Sequence, residues 1–181
     1  NDFMRNVFGN SITSLTFPEW SLLSHWTEFL SDIQTTNLQT LDLSKTEIIS
    51  SSAEFMWWVN LPNLTSLLLP EDWLTSTDHS FLLWANLDWL TTLSFPKWSL
   101  ETVGSWFMDS TSLDSLTTLE LPNFWLTNVW DNFMSNAWFG SLQSLFFPED
   151  SLASVWTNFM NWVTLDTISS VCYPPRMFED A

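Results

Sequence analysis

Few side chains in this sequence are of the types that carry out acid–base, nucleophilic or metal chemistry. The two histidines, His25 and His79, are unrelated in position, and no segment matches a nucleophile elbow, a phosphate loop or a histidine-pair metal motif. Carboxylates such as Asp72, Asp78 and Asp150 are calcium ligands by type, but no calcium-loop spacing is present, so we expect a solvated acidic face. The sequence therefore predicts a protein that is not an enzyme and that uses no metal or cofactor.

Hydroxyl side chains that could bind a partner recur at a fixed interval along the chain. Serine or threonine occupies one position in six successive segments: Ser14, Thr40, Ser66, Thr92, Thr118 and Ser144. A flat array of hydroxyls can dock a protein strand, a glycan or ordered water. Serine and threonine are also ordinary solvent-facing residues of strands. If the protein binds a protein or a glycan, we expect this array to lie on the binding surface.

Tryptophan is the second unusual feature, with 14 residues in a chain of 181. We expect most of them to pack in the core and between repeats, each burying about 150–250 Å². Tryptophans left exposed would form contacts with protein or carbohydrate. Four that directly follow the predicted strands are candidates for a contact rim: Trp20, Trp73, Trp98 and Trp125.

Charge and composition exclude several classes of function. The chain has 21 acidic and four basic residues, a net charge of −17, so its surface should repel nucleic acid and anionic lipid. A hydrophobic content of 45% excludes disorder, and the single cysteine excludes an intrachain disulfide. No apolar run of about 18 residues occurs, so no insertion into a membrane is predicted.

The elements that position these residues follow from an internal repeat. The pattern Leu-x-x-Leu-x-Leu-Pro recurs in steps of 26 residues, and its first position falls at Ile12, Leu38, Leu64, Leu90, Leu116 and Leu142. A weaker copy at Leu165 gives a final step of 23. Seventeen positions after each of the six first positions stands a phenylalanine: Phe29, Phe55, Phe81, Phe107, Phe133 and Phe159. Such regularity predicts stacked copies of one structural unit.

Each copy contains two predicted elements. Apolar residues alternate with polar ones at Leu93 and Phe95, which indicates a short strand. The spacing of Leu100, Val103 and Phe107 predicts a short helix or 3₁₀ turn. One strand and one arm cannot bury their own core, so we predict an α/β repeat solenoid with a parallel sheet on one face and short helical arms on the other.

A charged column tests the register of this stacking. Seven positions past each first position, the lysines alternate with glutamates: Glu19, Lys45, Glu71, Lys97, Asn123 and Glu149. Stacking in register predicts an ion-pair ladder here, worth about 0–1 kcal/mol per exposed pair.

The repeat resembles the leucine-rich-repeat superfamily over nearly the whole chain. Residues 116–121, Leu-Thr-Thr-Leu-Glu-Leu, fit its hallmark strand, and Leu126 fits the aliphatic position that follows. Residues 119–124 and 128–134 resemble the BspA-type repeats of bacterial and protist surface proteins. That resemblance implies a secreted or surface-displayed protein that binds host or matrix partners.

The repeat divides the chain into a half repeat at 1–11, six repeats at 12–164, and a partial repeat or C-terminal cap at 165–181. The two half repeats are complementary. They indicate either a piece of a longer array or subunits that stack head to tail into a filament, whereas Pro174 and Pro175 favour a cap. We predict a non-catalytic recognition or adhesion module, with a structural filament subunit as the alternative.

Overall fold

The repeat folds each 26 residues into one coil of a parallel β-solenoid with about five turns. The computed structural model describes residues 9, 11–19, 21, 28–51, 53–70, 74–96, 99–121, 126–147 and 154–172. Their strands are β1 (Ser14–Thr16), β2 (Thr40–Asp42), β3 (Ser50–Ser51), β4 (Ser66–Leu68), β5 (Ser76–Thr77), β6 (Thr92–Ser94), β7 (Thr102–Val103), β8 (Thr118–Glu120), β9 (Asn128–Val129), β10 (Ser144–Phe146), β11 (Ser154–Val155) and β12 (Ser170–Cys172).

Each coil contributes to three lines of parallel pairing. The first line is interrupted: its strands form two parallel sheets, β1-β2-β4-β6 and β8-β10-β12, and β6 does not pair with β8. Because the two lie on the same side of the coils, we call them together the first sheet. The second sheet runs β3-β5-β7-β9-β11 without interruption. A third line consists of single bridges joining Gln34, Asn60, Asn86, Ser112, Trp138 and Thr164. Every pairing in all three lines joins residues 26 apart, which confirms the predicted solenoid and its repeat length.

The last step has the same length as the others, so the predicted step of 23 to Leu165 is wrong. Ser144 pairs with Ser170 and Leu145 pairs with Val171, which places Ile168 at the first position of the motif. Leu165 instead occupies the position that Phe139 holds one coil earlier. Leu165 and Ile168 are three residues apart, as are the first two leucines of the motif, so the sequence alone fits a register that begins at Leu165. Main-chain pairing between coils requires coils of equal length, and it decides between the two registers.

The predicted helical arms are absent, since the described residues contain no helix. The segment after Leu100 forms β7 and then a turn at 105–110. There the backbone pairs between coils: the Met108 N–H donates to the Phe81 carbonyl (2.7 Å) and the Ser110 N–H to the Ser135 carbonyl (2.8 Å). Those donors are unavailable for the i→i−4 bonds of a helix.

The turn segment of each coil, such as residues 105–110, has an unusual backbone with positive φ at every second residue; we call this segment the arm. In one coil Trp106, Met108 and Ser110 have φ of 60°, 52° and 53°. Eighteen described residues other than glycine share this conformation, and none is β-branched. Left-handed φ costs an L-residue about 1–2 kcal/mol. Hydrogen bonds to both neighbouring coils and burial of alternate side chains offset that cost.

The interior is a stack of phenylalanine rings. The six phenylalanines of the repeat column stand one above the next, with ring centroids 4.9–5.3 Å apart and planes within 15° of parallel. The following column, all leucine or methionine, has positive φ and lies buried beside the rings from Leu30 to Met134. Each ring packs against the ring of the coil before it and the ring of the coil after it. The core residues of a coil are therefore buried by its two neighbouring coils.

The charged column is in register where the structure describes it. The Lys45 ammonium nitrogen lies 3.5 Å from a Glu19 carboxylate oxygen, and both side chains are largely exposed. This pair confirms the first step of the predicted ladder. Residues 71, 97, 123 and 149 lie outside the described residues.

The positive φ of Met108 predicts which substitutions this column accepts. Met108→Leu should change the free energy of unfolding by less than about 1.5 kcal/mol, because leucine is native at this position in Leu30 and Leu82. Met108→Ile, of similar volume, should cost about 1–3 kcal/mol more, because a β-branched residue resists positive φ. Urea denaturation of both variants measures the difference. An equal loss of unfolding free energy in the two variants would contradict a positive φ at Met108.

Candidate functional site

The structure brings the predicted hydroxyl column together on the outer face of the first sheet. Ser14 pairs with Thr40, Ser66 with Thr92, and Thr118 with Ser144, each on an adjacent coil. The leucine after each hydroxyl residue points into the core, from Leu41 to Leu145, so the hydroxyl residues are on the outer face, half-buried or exposed. Ser170 extends the column on β12. The result is a hydroxyl row in two parts, from Ser14 to Thr92 and from Thr118 to Ser170, with a spacing of about 4.8 Å along the solenoid within each part. No strand pairing joins Thr92 to Thr118.

The second outward column on this face changes its chemistry from coil to coil: Thr16, Asp42, Leu68, Ser94, Glu120 and Phe146. The Asp42 carboxylate accepts hydrogen bonds from the Ser44 N–H (2.9 Å) and hydroxyl (2.6 Å), which fixes the turn after β2. The outer face therefore carries a constant hydroxyl column beside a column that differs from coil to coil.

The described tryptophans lie outside the core, contrary to prediction. The four predicted rim residues Trp20, Trp73, Trp98 and Trp125 lie outside the described residues. Of the nine described tryptophans, eight are exposed and Trp57 is half-buried. The physical reason is the interior of the coil, where stacked columns of Phe, Leu and Met already fill the space. The larger indoles occupy outward columns instead.

A cleft of about 640 Å³ lies along the second sheet, and sequence reasoning did not identify it. It crosses β3, β5 and β7 and is lined by Ser50, Ser51, Ser76, Thr77, Asp78, His79, Thr102, Gly104 and Trp130. Its volume falls within the range of about 300–1,000 Å³ for small-molecule sites. Hydroxyl groups therefore line this side of the solenoid too.

Part of the cleft follows one position of the repeat whose side chain changes from coil to coil. Asp78, Gly104, Trp130 and Trp156 occupy the same position of the repeat in successive coils. The indoles of Trp130 and Trp156 stack with centroids 5.2 Å apart and planes 6° from parallel. Gly104, one coil before Trp130, presents no side chain, and its N–H donates to the Thr77 carbonyl at 2.8 Å. The Trp130 side chain is 43% exposed and lines the cleft.

Two polar side chains line the same cleft, Asp78 and His79. The Asp78 carboxylate accepts the His79 backbone N–H at 2.7 Å, and the same oxygen lies 3.5 Å from His79 Nε2. The His79 ring meets Trp106 edge-on, with centroids 6.2 Å apart. Both Asp78 and His79 are about half exposed. An aromatic face, a carboxylate, an imidazole and several hydroxyls thus converge on one cleft and can hold a small polar ligand.

The signal for this site was present in the sequence. Trp130 and Trp156 share one column of the repeat, and Gly104 and Asp78 belong to the same column. The copy in which glycine replaces a large side chain lies in the cleft. Among the described residues, no cluster of three metal-ligating side chains occurs, and no helix is long and apolar enough to cross a membrane.

Comparison with known proteins leaves the fold and the site as the basis for a functional argument. No family model matches the chain, and neither the curated proteins nor the solved structures contain a significant match.

The close approach at Gly104 predicts a difference between two glycines. A Cβ at residue 104 would lie 2.6 Å from the Asp78 carbonyl carbon, whereas at Gly140 it would meet the movable carboxylate of Asp114. Gly104→Ala should therefore reduce the free energy of unfolding by about 1–3 kcal/mol, and Gly140→Ala by less than about 1 kcal/mol. Chemical denaturation compares the two variants. A Gly104→Ala protein as stable as Gly140→Ala would show that the two coils are not in close contact there.

Proposed function

We propose that this protein is a non-catalytic recognition module that binds a protein or a glycan through the outer face of the first sheet. The observation that carries this proposal is the hydroxyl column, which pairs in register within β1-β2-β4-β6 and within β8-β10-β12 and is half-buried or exposed on every described strand of that sheet. One binding chemistry is thereby repeated along a rigid surface.

The physical basis of binding is repetition on a pre-organised scaffold. Each hydroxyl donates one hydrogen bond and accepts two, so a row at about 4.8 Å spacing matches partners that repeat polar groups along one direction. A single hydrogen bond contributes only about 0.5–1.5 kcal/mol net. Several hydroxyls must therefore act together, and the rigidity of the paired coils limits the entropy lost on binding.

Charge adds a preference among partners. With a net charge of −17, the module should associate faster with surfaces that are basic or neutral than with acidic ones. On the first sheet, Asp42 and Glu120 place carboxylates directly beside the hydroxyl row. Partners with amines or guanidinium groups next to an extended segment are favoured.

The leucine-rich-repeat resemblance supports the same proposal. The repeat pattern Leu-x-x-Leu-x-Leu, its constant length and the parallel strand pairing fit that superfamily, and residues 119–134 resemble its BspA-type members. We place the protein, on this resemblance, outside the cell or on its surface as an adhesive module.

Stacking of copies end to end is a second candidate. The coil at 154–172 exposes apolar side chains that are buried in the preceding coils: Val155 is 39% exposed, whereas the equivalent Val129 is 1% exposed. A second copy pairing with β11 and β12 would cover these residues and extend the filament.

Charged side chains on the hydroxyl row test the recognition proposal. Thr92→Arg combined with Thr118→Arg should lower the affinity for a bound partner at least tenfold, because two long side chains then occupy the row. Gln34→Arg combined with Asn60→Arg adds the same charge on another side of the solenoid, where the line of single bridges runs. This control should leave the affinity within about twofold. Binding to immobilised fibronectin, collagen, mucin and a printed glycan panel is measured by biolayer interferometry.

Two outcomes separate the candidates. Equal binding by the two double variants, both folded by thermal denaturation, would contradict recognition through the first sheet. Sedimentation over a concentration series of the unmodified protein completes the experiment: growth into long particles would favour end-to-end stacking, and a constant mass would oppose it.

A further inference from the structure

We propose that the cleft beside Gly104 is a separate sugar-binding site, in which a pyranose ring stacks on the free face of Trp130. This site lies on the second sheet and is independent of the hydroxyl row of the first sheet. The preferred ligand is a β-linked, gluco-configured sugar, as in oligomers of glucose or N-acetylglucosamine.

Trp130 offers one ring face to a ligand. Trp156 already covers the other face at a centroid distance of 5.2 Å. Trp130 is 43% exposed and lines the cleft, so a pyranose ring can cover the face that Trp156 leaves open. Gly104, one coil before Trp130, lies against the Asp78 main chain and has no side chain that could block this face. We call the part of the cleft beside this face the gap.

The groups around the gap match the chemistry of a sugar. A gluco-configured pyranose has two faces of C–H groups, which pack on an indole, and a rim of equatorial hydroxyls. Around the Gly104 level stand the Asp78 carboxylate, the His79 imidazole and the hydroxyls of Ser76 and Thr102. The carboxylate accepts two or more hydrogen bonds from sugar hydroxyls, while the serine and threonine both donate and accept.

The same lining disfavours a cationic ligand. Quaternary ammonium groups are typically held by several aromatic faces that surround the charge. Of the residues that line the cleft, only Trp130 carries an indole or phenyl ring, and five carry hydroxyls. A polyhydroxylated ligand with one flat apolar face satisfies this set, and a small cation would leave most of the hydroxyls without a partner from the ligand.

One ring of an oligomer occupies the gap, and the next units lie outside the cleft. The cleft of about 640 Å³ extends from Ser50 across three further coils to Trp130. A ring parallel to the Trp130 indole lies across the solenoid axis, so the next sugar of an oligomer leaves sideways along the coil. The site therefore accepts an internal unit or an end of a chain.

Titration calorimetry with cellotetraose and chitotetraose tests the proposal. The unmodified protein should bind at least one of the two with a dissociation constant below about 1 mM. Trp130→Ala should weaken binding at least tenfold through loss of the stacking face, and Trp130→Phe should weaken it less. Trp89→Ala, at an exposed indole elsewhere, is the matched control and should bind like the unmodified protein.

The carboxylate provides a second test. Asp78→Asn should weaken binding about fivefold, because an amide is a poorer acceptor for sugar hydroxyls than a carboxylate. Asp166→Asn, which removes one charge from an exposed residue, should leave binding unchanged. Thr92→Arg with Thr118→Arg should also leave it unchanged, so that failure of the first-sheet proposal is distinguished from failure of this one.

Three results would overturn the proposal. The first is no binding of either oligosaccharide at concentrations up to about 10 mM. The second is binding that Trp130→Ala leaves unchanged in a folded protein. The third is binding of choline, used as a cationic probe, that depends on Trp130 and Asp78 in the absence of any sugar binding, which would assign the cleft to a cation.

Discussion

Hydrogen bonding between coils at a constant step of 26 residues is the constraint on which the rest of this structure depends. It appears in both sheets, in the bridged line and in the turns that connect them. Because each coil uses its neighbours to satisfy its backbone, a change in length at one coil would disturb the pairing on every side. Because the step is constant, equivalent residues of successive coils lie next to one another. This produces both the phenylalanine stack and the hydroxyl row.

The arms show how this constraint acts on individual residues. A backbone that donates to the coil before and to the coil after, as at Met108 and Ser110, alternates between right-handed and left-handed φ. Only three glycines are present in the chain, so residues with side chains carry the strain. None of those positions holds a β-branched residue, and the middle one of each arm holds Leu or Met, whose burial from Leu30 to Met134 offsets the cost.

The sequence predicted the features that repeat and failed where one pattern fits two structures. The first-sheet strands, the phenylalanine column and the Lys45–Glu19 pair followed from the repeat. The arm did not, because the spacing of Leu100, Val103 and Phe107 is shared by a helix and by a chain that turns between two sheets. Leu165 and Ile168 fit the motif in two registers. Burial of tryptophan was predicted from its size, but the narrow interior is filled by smaller side chains.

The two candidate sites also differ in how far the repeat predicts them. The hydroxyl row was predictable because it repeats, whereas the Gly104 cleft lies at one departure from a repeat. At Gly104 the space that a Cβ would need is taken by the Asp78 main chain, so this departure from the repeat brings two coils close together. Trp130, one coil further on, stacks on Trp156 with one face and borders the cleft.

The most direct test of the inter-coil pairing is nuclear Overhauser spectroscopy of the isotope-labelled protein. We predict contacts between the Phe107 ring and the rings of Phe81 and Phe133, and between the Met108 amide and the coil that contains Phe81. We expect no helical series of contacts between residues three apart at 105–110. Observing such a series, without contacts between equivalent residues of successive coils, would contradict the structure from which both binding proposals are drawn.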